Sequence, residues 1–154
     1  MLEKSILIKY KDNELFFEIR KELNEIKDFM SQVNLGENQG DSETARLLDF
    51  SLTHLADLIE YLSDDIKVKY PSQMWLILEN LGKSIRYNEV NYKTIKKLLT
   101  SKDFTDFEQL VITIIEKEQY DFAELEELEK RKKKYRLANS YDEKDSSVLL
   151  SMII

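Results

Sequence analysis

The chain contains no cysteine, a single histidine, a single tryptophan, one proline and three glycines in 154 residues. Without thiols, disulfides, thiolate catalysis, zinc ribbons and iron–sulfur clusters are excluded. One histidine, His54, leaves no set of imidazoles for a metal centre. So few glycines and prolines leave little material for tight hairpins or for a phosphate-cradling loop, and long helices are favoured instead. No apolar window approaches the length of a membrane span, and the N-terminal run Ser5-Ile-Leu-Ile-Lys breaks after three apolar residues, too early for the core of a secretion signal. A cytoplasmic location is the expectation.

What remains is apolar and charged. Hydrophobic residues make up 42% and charged residues 34%, with a net charge of -7, so the chain has enough apolar material to fold and enough charge to stay dissolved. Its length suits one domain covering 1–154.

Apolar residues recur at spacings of three and four through much of the chain. Over residues 12–34, Leu15, Phe16, Ile19, Leu23, Ile26, Met30 and Val33 form one helical face, with Asp12 or Asn13 as its cap. Gly36 to Gly40 reads as a loop, and Asp41 or Ser42 as the cap of a second helix reaching about Ser63. That helix has the cleanest pattern: Leu48, Leu52, Leu55, Leu58 or Ile59, and Leu62 inward, with Asp49, Thr53, Asp57, Glu60 and Asp64 opposite. Met74, Trp75, Leu78, Leu81 and Ile85 predict a helix over 72–87, and Ile95, Leu98 and Leu99 a shorter one over 92–101. Thr105-Asp-Phe-Glu108 has the capping-box order and predicts a helix start there. Asp121 with Glu124 predicts a last helix reaching Leu137. The fold class expected is therefore mainly α, a bundle-like array of five to seven helices, with room for a minor sheet of two or three strands from residues 5–10, 66–70 and 147–153. Residues 138–147 read as a connection, and the apolar segment 148–154 as docked on this chain's core or, alternatively, across a homodimer.

Charge is segmented by sign. Residues 41–65 carry seven acids and one base, 66–102 two acids and eight bases, and 130–137 six bases and no acid. In the run Glu-Leu-Glu-Glu-Leu-Glu-Lys-Arg-Lys-Lys-Lys-Tyr-Arg, residues 124–136, Glu126, Glu127 and Glu129 stand four positions before Lys130, Arg131 and Lys133. This order supports a solvated helix by about 0.2–0.5 kcal/mol per pair. A nucleic-acid handle is disfavoured there by the flanking acids.

No catalytic motif emerges. Ser51, His54 and Asp57 drift around a helix and lack oxyanion donors. Asp64-Asp65-Ile-Lys67 would need a sheet to act as a nuclease-like metal site. Neither a catalytic residue, a metal site nor a cofactor is expected, and a carboxylate-based metal enzyme is the third-ranked reading. The basic segment offers Lys83, Arg86, Lys93, Lys96 and Lys97 among Tyr70, Trp75, Tyr87 and Tyr92, where exposed aromatics could stack on unpaired bases. Trp75 falls on the core stripe, which weighs against that alternative, a regulator or phage accessory protein. The favoured expectation is stoichiometric protein binding through an acidic face made by Glu14, Glu18 and Glu22 of the first helix and Asp49, Asp57, Glu60 and Asp64 of the second. An immunity protein or antitoxin that covers a basic, nuclease-type toxin has this profile.

Overall fold

The computed structural model describes residues 2–32, 43–89 and 91–134. It is mainly α, with seven helices and no strand among the described residues. The chain divides into two compact units, Met1–Tyr120 and Asp121–Ile154. The first holds α1 (Leu2–Gln32), α2 (Glu43–Tyr61), α3 (Asp64–Lys69), α4 (Met74–Arg86), α5 (Tyr92–Leu99) and α6 (Lys102–Lys117). In the second, α7 covers residues 123–134.

Burial follows the helical period. On α1, Phe16, Ile19, Leu23 and Ile26 are sealed; on α2, Leu48, Leu52, Leu55 and Ile59, with Leu62 just past its end; on α6, Phe104, Phe107, Val111 and Ile114. Fully burying a side chain of this size contributes about 1.5–3 kcal/mol, so these rows dominate the folding energy. Most interhelical packing of the unit lies in the α1–α2 and α2–α4 interfaces. The second of these is unusually close. A Cβ placed on Gly82 would stand 2.4 Å from the Cβ of Ala56, which no real pair of carbons tolerates. Trp75 closes the core edge-on against Phe107, with ring centroids 5.1 Å apart, while its indole nitrogen donates to the Tyr70 carbonyl oxygen at 2.9 Å.

Two expected strands are helices. Residues 5–10 belong to the first turns of α1, which begins at Leu2 and not near residue 12. Residues 66–70 fall in and after α3. Ser63 caps α3 by accepting from the Ile66 amide at 3.3 Å, and the acids Asp64 and Asp65 in its first turn with Lys67 and Lys69 in its last suit the helix dipole. The third proposed strand, 147–153, lies outside the described residues, as do the loop from Gly36 to Gly40, the caps Asp41 and Ser42, the connection 138–147 and the apolar segment 148–154. Asp12 caps no helix start of its own. Only 3% exposed, it accepts from the Ser63 amide at 3.0 Å and from the Ser63 hydroxyl at 2.5 Å, so α1 anchors the turn between α2 and α3. The sixth helix starts one turn before the expected site, capped by Ser101 instead of Thr105.

Scarce glycine shows at the helix ends. Asn88 and Gln119 adopt φ of 55° and 54°, the left-handed conformation that glycine usually supplies. After α4, the Asn88 amide donates to Ile85 O at 3.1 Å and the Glu89 amide to Ser84 O at 2.8 Å. After α6, the Gln119 amide donates to Glu116 O at 3.2 Å and the Tyr120 amide to Ile115 O at 3.1 Å. Both are Schellman closures that satisfy carbonyls otherwise left without partners.

Candidate partner-binding surface

The seven carboxylates expected to form one outward face have different fates. Glu22 is only 8% exposed, and its Oε1 lies 2.9 Å from Nδ1 of His54 on α2. A carboxylate only accepts, so Nδ1 is assigned as the donor. The other oxygen, Oε2, is buried and finds no hydrogen-bond partner among the described residues. Asp49 accepts from the Tyr92 hydroxyl at 3.1 Å, which ties α2 to α5; burial pushes its carboxyl above the ordinary carboxylate range, and the Tyr92 hydrogen bond only partly opposes that. Asp57 pairs with Arg86 of α4, and Glu18 lies 3.5 Å from Lys21 within α1. Glu14, Glu60 and Asp64 remain exposed, with Asp65 beside Asp64. The continuous acidic face thus gives way to a few exposed acids and several internal ties.

Sequence reasoning missed the apolar part of the same surface. On α2, Leu47 is 49% exposed, Phe50 69% and Tyr61 62%. Together with His54 they fall at spacings of three, four and seven, which is one stripe of a helix. The Phe50 and His54 rings stack with centroids 6.3 Å apart, and Lys11 sits 5.7 Å from the centre of the Tyr61 ring. Tyr87, 73% exposed, follows Arg86 at the end of α4. The signal was present in the sequence as Leu47 and Phe50 falling outside the buried row. Aromatic side chains and arginine at an exposed site are the residues that most often anchor protein interfaces.

The basic alternative is spread over α4 and α5. Lys83, Lys93 and Lys97 are exposed, Lys96 is half-buried, and Arg86 is engaged by Asp57. Trp75 is buried and the Tyr92 hydroxyl is directed to Asp49, which leaves Tyr87 as the exposed aromatic of that segment among the described residues. In α7, Arg131 lies 3.8 Å from Glu127, both well exposed.

Ser51, His54 and Asp57 do not converge: Ser51 is buried, His54 turns to Glu22 and Asp57 to Arg86. Asp64 and Asp65 lie on a helix, without the strand a nuclease-like site would need. No group of three or more histidines and acids is placed to hold a metal among the described residues. No described helix is long and apolar enough to cross a membrane. The geometry defines a mainly α chain with an aromatic ridge along α2, edged by carboxylates. No protein-family model, curated protein or solved structure matches it.

Proposed function

We propose that this protein acts by stoichiometric protein binding, with the outward stripe of α2 as its docking surface and a basic protein domain as its partner. The observation that carries the reading is the row of Leu47, Phe50 and Tyr61, large apolar side chains held in water on a helix whose other face is fully used in the core. A folded chain keeps such a row at a cost unless something covers it. Glu60 neighbours Tyr61 on α2, Asp64 and Asp65 follow it on α3, and the net charge of -7 supplies a long-range attraction for a cationic partner. The apolar row would then carry affinity and the acids orientation and rate. The most concrete form of the proposal is an immunity protein or antitoxin that occludes a nuclease-type toxin, with no catalysis of its own.

The test is direct. The product of the neighbouring reading frame is purified and titrated calorimetrically with this protein. A 1:1 complex that relieves the partner's growth arrest, and that Phe50→Ser weakens by at least tenfold, is the expected result. A neighbouring product that neither binds nor arrests growth overturns the toxin reading; binding untouched by Phe50→Ser moves the surface elsewhere.

A further inference from the structure

A second surface lies between α4 and α6. A cleft of about 360 Å³ opens there, with Met74 and Ile77 on one wall, Asp103, Asp106 and Leu110 on the other, and Phe107 as its floor. Residues 103, 106 and 110 recur at spacings of three and four, so the α6 wall is a straight row of two carboxylates followed by a leucine. Met74 and Phe107 are buried, whereas Ile77 remains 38% exposed at the lip. The cleft therefore has an apolar base and one negatively charged rim.

One local role could account for part of this charge without a ligand. Asp103 stands in the first turn of α6, where a negative charge suits the dipole. That explains one carboxylate. Asp106 adds a second charge a turn later, on the same wall, and neither has an ion pair among the described residues even though the chain carries 23 lysines and arginines. Two other acids between helices of this unit are paired with lysines: Glu79 with Lys67 at 3.3 Å, and Glu118 with Lys69 at 2.7 Å. Among the described residues no lysine or arginine pairs with either acid of the α4–α6 cleft.

We infer that this cleft is the docking site for a short segment of another protein that inserts an aliphatic or aromatic side chain over Phe107 and places a lysine or arginine against Asp103 and Asp106. Apolar burial would fix the segment and the paired carboxylates its register, since a reversed segment would set its cation against Ile77 and Leu110. The cleft volume falls in the range of small binding sites, about 300–1,000 Å³, and its open, straight wall fits a chain segment better than an enclosed metabolite. This site is independent of the α2 stripe and does not rest on it.

The experiment uses the full chain labelled with 15N and a capped twelve-residue peptide of leucine and lysine patterned to give a helix one apolar face. Saturable amide shifts centred on Ile77, Asp103, Asp106 and Leu110 are expected. A peptide with glutamate in place of lysine should produce none, and one with serine in place of leucine should bind far more weakly. The paired exchange Asp103→Asn with Asp106→Asn should weaken binding by about three- to tenfold, the scale of losing two surface ion pairs, while Phe50→Ser leaves it unchanged. Shifts that scatter over the acidic surface, concentrate on α2, or survive the asparagine exchange undiminished would overturn the assignment. Because both acids are exposed, the asparagine variants keep the fold, and a cooperative melt lowered only by the small loss of the Asp103 charge at the start of α6 verifies this.

Discussion

Glu22 and His54, separated by 32 positions in the chain, meet across the α1–α2 interface with Oε1 2.9 Å from Nδ1. The contact settles which side of α1 faces α2 and fixes the imidazole beside Phe50. Removing one partner of a buried polar pair leaves the other unsatisfied, which costs about 1–3 kcal/mol. His54→Ala should therefore lower stability to urea by that amount. Replacing both residues by leucine should recover most of it, because no buried carboxylate is then left without a partner. Additive losses in the double variant would show that the two side chains are not coupled.

At the α2–α4 contact, Gly82→Ala ought to improve helix propensity by roughly 1 kcal/mol. The added carbon would collide with Ala56 Cβ, and forcing an extra methyl into a packed seam typically costs about 1–3 kcal/mol. A net loss is expected. Ala56→Gly in the same molecule should relieve the clash, and thermal melts of the single and double variants check both signs.

The left-handed residues at the helix ends predict a gain. Gln119→Gly removes a Cβ from a conformation that costs a side-chain-bearing residue about 1–2 kcal/mol, partly offset by glycine's greater freedom in the unfolded chain. A net rise of about 0.5–1 kcal/mol is expected. Asn88→Gly should gain less, since asparagine tolerates this conformation better. A loss at Gln119 would mean its side chain makes a contact more valuable than the strain it carries.

Glu118 gives a pH signature. The Lys69 ammonium, donating at 2.7 Å, is the main cause that holds its carboxyl below the ordinary value of 4.5; burial opposes, and the Tyr70 hydroxyl at 2.9 Å adds to the lowering. A carboxyl more acidic in the folded than in the unfolded chain contributes stability that is complete above about 4.5 and disappears as pH falls through the folded value. Lys69→Met should therefore reduce the acid-side fall in stability between pH 5 and the folded value. Unfolding curves from pH 3 to 7 for both proteins decide the matter: identical slopes would rule out the pair as a source of acid sensitivity.

If the α2 stripe is a docking surface, its side chains should matter little for folding. Phe50→Ser should change stability by less than about 0.5 kcal/mol, as expected for a side chain 69% exposed. Phe107→Ala, 1% exposed, should cost about 3–5 kcal/mol. If Phe50→Ser unfolds the protein, the ring is structural and the proposed docking surface loses its centre.

Much of this architecture is legible in the chain. The leucine row of α2 and the Met74, Trp75, Leu78 and Leu81 row of α4 identify their buried faces because the period of a helix places them together whatever surrounds it. Short apolar runs carry no such information. Ser5 to Tyr10 fits a strand or a helix equally, and only its continuation into the long apolar row of α1 decides. Ile66-Lys-Val-Lys-Tyr70 alternates like a strand, yet the Ser63 cap and the charges at either end make a six-residue helix of it. Thr105 carries the capping-box pattern, yet Ser101 caps α6 one turn earlier, which places Phe104 in the core. The acids mislead for a different reason. A helical wheel says which side of α2 holds Asp49 and Asp57, but not that Tyr92 and Arg86 of α5 and α4 stand opposite. Such pairings are made by the fold, between residues far apart in the chain, and no local pattern announces them.

The contact of Gly82 with Ala56 has a further consequence for the face of α2 that points away from it. Two backbones pressed this close have no long side chains between them to rearrange, so α2 rests on a stiff mount. Phe50 and Tyr61 are thus preorganised: covering them would restrain a few rotamers and leave the helix beneath unmoved, and little of the binding energy would be lost to ordering.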